Sequence, residues 1–444
     1  MPNFVDVILP LPLDNRFTYT ISEEEAVFLQ NGMRVAVPFG KSKVYTGIIA
    51  EVHNRAPEVY EAKPINQILD ETPLVTQNQL EFWKWIASYY MCTEGEVMRA
   101  ALPGAFILES EHIVQLQKEA EFNESDLKDD EFLVVEALQN QSSLKIKEVE
   151  ALLDKKSVLP ILNRLMAKDI VVLSQEIYEQ YKPKRVKYIK LHESYESEDA
   201  MHQLLDELSS AHKQREVVLN YFSLKAKSLK PINAKELQKI SGTTASVLKS
   251  LVTKNIFKEY YLNEDRVAFE GEITRSHIEF NEYQLKAFGQ IKAAFEEKTV
   301  CLLHGVTSSG KTEIYLKLIE EVLNEGKQAL YLLPEIALTT QLINRLQAYF
   351  GDKVLVFHSK YSMNERVEVY QNVLKAGEGP KVVIGARSAI FLPFQQLGLI
   401  IIDEEHEASF KQYDPAPRYH ARDAAVVLAN LFKAKTLMGS ATPS

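Results

Sequence analysis

Residues 300–324 read VCLLHGVTSSGKTEIYLKLIEEVLN, and this stretch decides the fold of the last third of the chain. It joins an apolar β-like run to a helical stretch through the pattern GxxxxGK[ST]. The glycines of such a loop let backbone N–H groups point at phosphate oxygens, and the helix that follows adds positive potential. The stretch therefore predicts a site for a nucleoside triphosphate. The predicted phosphate-binding residues are Gly305, Val306, Thr307, Ser308, Ser309, Gly310, Lys311 and Thr312.

Apolar β-like runs alternate with helical stretches on both sides of that loop. This alternation is typical of βαβ units, so we expect an α/β fold with a parallel sheet that helices cover on both faces. The run Leu399–Ile402 suits a central strand because it is apolar without interruption. The predicted strands are 299–303, 329–333, 354–357, 381–384, 397–402 and 435–438.

An acidic segment, Asp403-Glu404-Glu405-His406, directly follows the predicted strand 397–402. Open parallel sheets bind ligands at the carboxyl ends of their strands, so we expect these carboxylates to face the phosphate loop. Asp403 and the hydroxyl of Thr312 are the predicted Mg²⁺ ligands, and Glu404 is predicted to orient or deprotonate the attacking water. Together with Lys311, which would reach the β- and γ-phosphates, Asp403 and Glu404 form the predicted catalytic set.

Two further segments can be interpreted as functional or, alternatively, as ordinary solvated or turn residues. Gln284 lies about 20 residues before the phosphate loop, and its amide can donate and accept at once, which matches an adenine edge; a solvated glutamine is the alternative. The final segment, GSATPS at 439–444, follows the last predicted strand. Its small hydroxyl residues could link the nucleotide site to bound nucleic acid, although by themselves they predict only a turn.

The composition excludes several classes of protein for this chain. The chain has 444 residues, 46% hydrophobic and 25% charged, which suggests about three soluble domains. The net charge is −10, so DNA contacts must come from local clusters rather than from bulk charge. Two cysteines are too few for a disulfide framework or a cysteine-based zinc site, and a reducing cytosol is expected. No apolar run is long enough to span a membrane.

The first 272 residues differ from the last third in their pattern of predicted strands and helices. Within residues 1–105, short runs rich in Val, Ile and aromatic residues up to residue 52 predict a small β structure, and a helix is predicted after them at 77–90. An internal repeat follows, in which residues 161–171 resemble residues 247–257 at an offset of 86. Since helices followed by a β-hairpin describe a winged helix, we expect two such units. Coincidence between two amphipathic helices is the alternative.

The motifs together resemble those of superfamily 2 helicases, and most closely the bacterial primosomal replication-restart helicases of the PriA family. The resemblance rests on Gln284, GVTSSGKT, PEIALTTQ (334–341), GARSAIF (385–391), DEEH and GSATPS, in this order. It implies a RecA-like lobe with ATP and Mg²⁺ as cofactors. It also implies that 334–341 and 385–391, with Arg387, line a track for single-stranded DNA to which His358 belongs.

A loop rich in aromatic residues follows the DEEH segment, as in that family. It reads SFKQYDPAPRYHARD over residues 409–423. Its rings can stack on bases while its cations meet phosphates, so the loop predicts single-strand binding; aromatic residues that cover a core are the alternative. The predicted stacking residues are Phe410, Tyr413 and Tyr419, and the predicted phosphate contacts are Lys411, Arg418 and Arg422.

Residues 1–105 resemble the 3′-end-binding domain of the same family, in LPLPL (9–13), FTY (17–19) and RVAVPFGK (34–41). The resemblance implies that Phe17 stacks on the terminal base, that Gly40 allows close backbone approach and that Lys63 meets a phosphate. Thr18 stands where a familiar version of the family has Asp. Threonine can accept a hydrogen bond from a 3′-hydroxyl, but without the charge of a carboxylate. The alternative for Phe17 is a core residue of a strand.

These interpretations give a domain prediction and a functional one. We expect a β-rich 3′-end DNA-binding domain (1–105), a winged-helix domain (106–200), a second winged-helix-like unit with a linker (201–272) and a RecA-like ATP-binding lobe (273–444). The resemblance implies a second lobe with an arginine finger and a cysteine-rich zinc domain, neither of which the sequence contains. Without the finger, we expect weak ATP·Mg²⁺ binding and poor hydrolysis by this chain alone.

The whole resemblance implies an ATP-dependent 3′→5′ DNA helicase that recognises stalled or abandoned replication forks and starts primosome assembly. Its expected partners are branched and single-stranded DNA, single-stranded-DNA-binding protein and loaders of the replicative helicase. We expect a monomer at the nucleoid in the cytoplasm, with no membrane association. The alternative is a fork-binding module without motor activity, in which ATP is a structural ligand. A third hypothesis, a restriction or remodelling translocase, does not account for residues 1–105.

Overall fold

The computed structural model describes residues 3–40, 43–107, 111–117, 127–155, 158–168, 170–176, 184–195, 198–227, 231–264, 278–306, 309–358, 361–375, 379 and 381–443. The chain divides into two compact units, one formed by residues 1–181 together with 269–444, the other by residues 182–268. Within the described ranges, no helix combines the length and the apolar character needed to cross a membrane.

The N-terminal domain is built on an antiparallel sheet with the strand order β2-β1-β4-β3-β5. In β1, Val5 and Val7 point into the core while Phe4 and Asp6 lie on the more open face, as the period of two requires. The small β structure expected here is confirmed, and so is the helix predicted at 77–90, while the two short helices at Glu23–Phe28 and Glu94–Ala101 were not indicated by the sequence pattern. The elements are β1 (Phe4–Ile8), β2 (Phe17–Thr20), β3 (Arg34–Phe39), β4 (Lys43–His53), β5 (Gln67–Ile68), α1 (Glu23–Phe28), α2 (Gln77–Tyr89) and α3 (Glu94–Ala101).

Helix α2 joins this domain to the C-terminal lobe. Thr76 caps its N-terminus in a capping box with Gln79, and Phe82, Trp83 and Ile86 form its buried face. The side-chain amide of Gln79 also donates to the carbonyl oxygen of Phe391 at 2.7 Å. A buried polar group must find a partner, and Gln79 finds it on the lobe, which fixes the position of α2 there.

The internal repeat of the middle region is confirmed as a repeat of topology. Each copy begins with a strand, continues through one helix (first copy) or two helices (second copy) to a short strand, and ends with two helices and a last strand. The strands form a three-stranded sheet, β7-β6-β8 in the first copy and β10-β9-β11 in the second. The first copy comprises β6 (Glu111–Leu116), α4 (Asp129–Asn140), β7 (Leu144–Lys145), α5 (Ile146–Leu153), α6 (Leu159–Ala167) and β8 (Val171–Glu176). The second comprises β9 (Lys184–Leu191), α7 (Glu198–Glu207), α8 (His212–Lys227), β10 (Ile232–Asn233), α9 (Ala234–Ile240), α10 (Ala245–Thr253) and β11 (Phe257–Glu264).

Two details differ from the sequence prediction. The strand after the last helix of each copy pairs with the first strand of its own copy, β8 with β6 and β11 with β9, instead of opening a hairpin. Strand β9 therefore belongs to the second copy, and the division between the copies falls near residue 182 rather than at residue 200. Periodicity marks a strand but does not name its partner, so the sequence could not place this boundary.

The C-terminal lobe contains a six-stranded, fully parallel sheet with the order β12-β17-β16-β13-β15-β14. All six predicted strands are present, and helices cover the sheet as the alternation predicted. The strands are β12 (Val300–His304), β13 (Gln328–Leu332), β14 (Val354–Phe357), β15 (Val382–Gly385), β16 (Leu397–Asp403) and β17 (Lys435–Ser440). The helices are α11 (Glu282–Glu297), α12 (Lys311–Asn324), α13 (Thr340–Phe350), α14 (Met363–Leu374) and α15 (Ala421–Leu431).

A buried carboxylate, Glu131 of α4, holds the first repeat copy together. Arg164 Nε and Lys168 Nζ donate to its two oxygens at 2.6 and 2.7 Å. Burial by itself raises the pKa of this carboxyl, but the hydrogen bonds from Lys168 and Arg164 outweigh burial and lower the pKa of Glu131 to about 2. The ionised form therefore stabilises the folded state.

Replacing this carboxylate, Glu131→Gln, should reduce the free energy of unfolding by roughly 1–3 kcal/mol at neutral pH, because charged hydrogen bonds are lost. The folded pKa lies below the ordinary value of 4.5, so the stabilisation is present above 4.5 and disappears as the pH falls towards 2. Urea unfolding should thus show a large difference between variant and wild type at pH 7 and a small one near pH 3. Glu136→Gln, at an exposed position of the same helix, is the control and should resemble wild type at both pH values.

Candidate nucleotide site and DNA-binding surfaces

The strand order places the phosphate loop and the acidic segment on either side of β17. Gly439 in β17 pairs with Leu303 of β12 and with Asp403 of β16. Because the strands are parallel, the loop after β12 and the DEEH segment after β16 leave the same edge of the sheet. The two predicted halves of the nucleotide site are therefore neighbours.

Lys311 lies at the centre of this site with only 8% of its surface exposed. Its ammonium donates to the carbonyl oxygen of Gly305 at 2.9 Å and lies 3.6 Å from Glu404 Oε1. Gly310, in the left-handed region at φ +84°, allows the turn into α12, whose first two residues are Lys311 and Thr312. Of the other predicted loop residues, Val306 is exposed and Ser309 donates its backbone N–H to the Val306 carbonyl, while Thr307 and Ser308 lie outside the described residues.

Two buried tyrosines, which the sequence analysis did not identify, hold the carboxylate of Asp403. The hydroxyl of Tyr315 donates to Oδ1 at 3.1 Å, and that of Tyr331 donates to Oδ2 at 3.2 Å. Burial raises the pKa of Asp403, and the Tyr315 hydrogen bond acts in the opposite direction. Tyr315 follows Lys311 by four residues on α12, so helical spacing was the available signal.

The donor set fits a magnesium ion. A carboxylate at the sheet edge and the hydroxyl of Thr312 are oxygen ligands of the kind that Mg²⁺ takes alongside phosphate oxygens and water. Oδ1 of Asp403 accepts from the Tyr315 hydroxyl and from the backbone N–H of Glu404, whereas Oδ2 accepts only the Tyr331 hydroxyl among the described residues and keeps a further lone pair for a cation. When bound, the ion would neutralise charge on the phosphates.

Glu404 has a backbone in the left-handed region at φ +49°, which is uncommon for a residue other than glycine. Such outliers persist where the surrounding structure requires them, and they cluster at functional sites. The next residues connect the site to its surroundings. His406 Nδ1 lies 2.8 Å from Ser440 Oγ, and the buried carboxylate of Glu405 accepts from Arg422 at 2.8 Å. Arg422, predicted to meet phosphate, is instead paired here.

Gln284 contacts the phosphate loop directly. Its side-chain amide donates to the carbonyl oxygen of Gly310 at 3.2 Å, and its side-chain oxygen accepts from the backbone of Asn281 at 3.0 Å. A Cβ atom at Gly310 would lie 2.1 Å from the Gln284 nitrogen, so a side chain at this position would displace the Gln284 amide from the loop. The amide retains one hydrogen and one lone pair for an adenine edge.

The aromatic-rich loop divides into buried and exposed rings. Phe410 and Tyr419 are fully buried, and the Tyr419 ring packs 5.0 Å from that of Phe391. These two rings cover a core, so the structure does not offer them to bases, and the alternative weighed for them holds. Tyr413 is 70% exposed and stays available for stacking.

Arg387 of the predicted track and two predicted phosphate contacts of the loop, Lys411 and Arg418, donate hydrogen bonds to the loop backbone. Arg387 donates to the carbonyl oxygens of Ser409 and Lys411, and Arg418 Nε donates to that of Tyr413. The Lys411 ammonium donates to the carbonyl oxygen of Arg418. These cations shape the loop and leave part of the guanidinium of Arg418 exposed. The predicted track residue His358 packs its ring 4.1 Å from that of Tyr361.

The predicted end-binding residues meet in one cavity of about 280 Å³ in the N-terminal domain. Phe17, Gly40 and Lys63 all line it, with Thr18 and Tyr60. The Phe17 ring is half-buried and stands edge-on to Phe39 at 4.9 Å. The Lys63 ammonium donates to the Gly40 carbonyl oxygen at 3.4 Å.

The hydroxyl of Thr18 has a carboxylate beside it. Thr18 faces Asp6 across the β1–β2 pair, and its Oγ1 donates to Asp6 Oδ1 at 2.7 Å. His53 Nε2 lies 3.0 Å from the same oxygen. Because the Thr18 hydroxyl donates its hydrogen bond to Asp6, the Thr18 oxygen can only accept a hydrogen bond from a ligand.

Three sequence profiles match the chain. The PriA 3'DNA-binding domain (3'BD) matches residues 6–103, the winged helix domain of the PriA helicase of Bacteroidota matches residues 186–263, and the DEAD/DEAH box helicase matches residues 281–444. The replication restart protein PriA of Bacillus subtilis (strain 168) is 31% identical over 453 residues, covering 100% of this chain and 53% of that protein. That of Haemophilus influenzae is 33% identical, covering 99% of this chain and 49% of that protein.

The chain belongs to the PriA family. It spans about half the length of these relatives. The family's winged-helix profile falls on the second repeat copy, β9 to β11. Among solved structures, the DUF1998 helicase MrfA is 20% identical and overlaps 37% of this chain and 27% of its own, with a TM-score of 0.28.

The tyrosine hydrogen bonds lead to a prediction about magnesium. Tyr331→Phe should weaken the magnesium-linked part of ATP affinity by roughly tenfold, because a hydrogen bond to a charged group contributes about 1.5 kcal/mol. The pKa of Asp403 is already raised and would rise further, so the loss should grow as the pH falls. Titration with a fluorescent ATP analogue, with and without Mg²⁺, measures this. Tyr349→Phe, which removes another tyrosine hydroxyl from the lobe, is the control, and equal affinities for both variants would contradict the prediction.

Proposed function

We propose that this chain carries the nucleotide-binding and DNA-binding parts of a replication-restart helicase. In this proposal the protein uses ATP hydrolysis to move 3′→5′ on DNA, recognises stalled or abandoned forks, and starts primosome assembly. The observation that carries the proposal is the pairing of Lys311 with Glu404 at 3.6 Å, beside the tethered carboxylate of Asp403. The family relationship supports the same activity.

Each residue of the site has a proposed role. Lys311 would release Gly305 and Glu404 and take the β- and γ-phosphates, while Thr312 and Asp403 would hold Mg²⁺. Glu404, freed from Lys311, would orient or deprotonate the attacking water. Gln284 would read the adenine edge. This chain alone would bind ATP·Mg²⁺ weakly and turn it over slowly, because the family resemblance implies that the arginine finger belongs to a second lobe.

The same proposal covers partners. Branched and single-stranded DNA are the proposed ligands, and single-stranded-DNA-binding protein and loaders of the replicative helicase are the proposed protein partners. The protein would act as a monomer at the nucleoid in the cytoplasm, and it would need no membrane. Zinc would bind only in the cysteine-rich domain that the family relationship implies.

Lys311→Ala should reduce ATP affinity at least tenfold, because the only ammonium described at this site is removed, and should leave fork binding nearly unchanged. Fluorescence titration with an ATP analogue and with a labelled fork measures both. Lys317→Ala, on the same helix but paired with Glu320 at 2.8 Å, is the matched control. Normal ATP affinity in Lys311→Ala would refute the nucleotide site. Loss of fork binding together with ATP affinity would favour a fork-binding module with ATP as a structural ligand.

For the N-terminal cavity, we propose that Phe17 stacks on the terminal base of a 3′ end and that Lys63 meets its phosphate. The oxygen of Thr18, polarised by Asp6, would accept the hydrogen bond of the 3′-hydroxyl. The short hydrogen bond from Thr18 to Asp6 supports this role, because the Asp6 carboxylate polarises the neutral Thr18 hydroxyl and makes its oxygen a better acceptor.

Forks with a 3′-hydroxyl should therefore bind more tightly than forks with a 3′-phosphate, by about fivefold or more, as one hydrogen bond to a polarised acceptor contributes about 1 kcal/mol. Thr18→Val should remove this preference, Thr18→Ser should keep it, and Phe17→Ala should weaken both forks. Fluorescence anisotropy measures the affinities. Phe28→Ala, a partly exposed ring on α1 that does not line the cavity, is the control. Unchanged binding by Phe17→Ala would exclude the cavity from end recognition.

A further inference from the structure

The C-terminal end of α2 carries a group of stacked aromatic side chains whose outer face is open. The rings of Trp85 and Tyr89, one helical turn apart, lie 5.0 Å apart at an interplanar angle of 19°. Tyr90 stands edge-on to Tyr89 at 4.9 Å and 78°. Tyr89 is 65% exposed, and Met91 beside it is 93% exposed. We call Trp85, Tyr89 and Tyr90 the α2 platform.

The core of the N-terminal domain does not account for this platform. The buried face of α2 is formed by other residues, including Phe82, Trp83 and Ile86. Trp85 is half-buried and supports the Tyr89 ring from below, so the opposite face of that ring is offered to solvent. A flat, pre-ordered π-face is the surface on which an unpaired base stacks, and every base has such a face.

The platform adjoins the aromatic-rich loop of the lobe. The backbone N–H of His420 donates to the Tyr90 hydroxyl at 3.1 Å, and the Lys411 ammonium lies 5.3 Å from the centre of the Tyr90 ring. Lys84, next to Trp85 in the sequence, is exposed. Rings interleaved with cations suit a single strand, whose bases can stack while its phosphates meet the positive charges.

We propose that the α2 platform is a stacking site for an unpaired base of single-stranded DNA, with Tyr89 as the contact residue. No residue of the platform lines the cavity at Phe17, and the platform adjoins the aromatic-rich loop without being part of it, so it adds a DNA contact to the proposed function. Duplex bases are already stacked on one another, and the platform therefore selects single strands.

Ring contacts connect the platform to the loop. Trp85 stacks on Phe82 at 6.2 Å, Phe82 packs on Phe391 at 6.0 Å, and Phe391 packs on Tyr419 at 5.0 Å. Four packed rings thus lead from Tyr89 to the buried part of the aromatic-rich loop. A base bound at Tyr89 restrains a helix that is packed directly against that loop.

The test is binding of an oligothymidylate by the 444-residue chain, followed by fluorescence anisotropy. Tyr89→Ala should weaken single-strand binding about five- to tenfold, Tyr89→Phe should retain it because the ring remains, and blunt duplex affinity should not change. Met91→Ala removes a neighbouring apolar side chain without a ring and should bind like wild type. Tryptophan fluorescence gives a second readout: Trp83 is fully buried and Trp85 is not, so quenching by the oligonucleotide should come from Trp85 and weaken in Tyr89→Ala.

Equal single-strand affinity for Tyr89→Ala and wild type would overturn the proposal, and so would an equal loss on duplex and single strand. A loss in Met91→Ala as large as that in Tyr89→Ala would replace stacking by general apolar contact and overturn it as well. These outcomes are independent of ATP affinity and of the 3′-hydroxyl preference, so failure here leaves those two tests standing.

Discussion

The hydrogen bond from Tyr315 to Asp403 is the contact on which the nucleotide site depends. It joins the helix of the phosphate loop to the end of β16 and passes directly over Gly439 of β17. A Cβ atom at Gly439 would lie 1.8 Å from the Tyr315 hydroxyl and 3.1 Å from the Asp403 oxygen. Any residue other than glycine would therefore push the tyrosine off the carboxylate. The small residue at the start of GSATPS thus keeps the acidic and basic halves of the site together.

The segments that leave this edge of the sheet are tied to one another. Ser440 contacts His406 at 2.8 Å, and the buried Glu405 holds Arg422 at the start of α15. Arg387 braces the aromatic-rich loop through its carbonyl oxygens. Hydrogen bonds therefore connect the segment that contains Glu404 to the loop proposed to bind DNA, so a movement of Glu404 would be transmitted to that loop. Because buried charged pairs are costly to break, these contacts would move as a unit rather than separately.

The N-terminal domain and the lobe form one compact unit. In the buried interface the Gln79 amide donates to the Tyr370 hydroxyl at 3.4 Å, and that hydroxyl donates to the Leu74 carbonyl oxygen at 3.2 Å. Arg34 is paired with Asp70 and also covers the Phe106 ring at 5.0 Å, close to the same interface. Hydrogen-bonded polar groups in a packed interface fix orientation more strictly than apolar contact alone. The cavity at Phe17 and the site at Lys311 are thus carried on a single framework.

The sequence by itself determined the six parallel strands, the phosphate loop, the acidic segment and the internal repeat, because each depends on local periodicity or on a motif of fixed spacing. The family resemblance, rather than the sequence pattern, grouped Phe17, Gly40 and Lys63, and the structure places all three along one cavity. Only the tertiary structure decided which strand pairs with which, that Phe410 and Tyr419 face inward, and that Asp6 stands beside Thr18. These facts depend on contacts between residues far apart in the chain. Packing decides these contacts, and the residue pattern of one segment does not show which other segment it will contact.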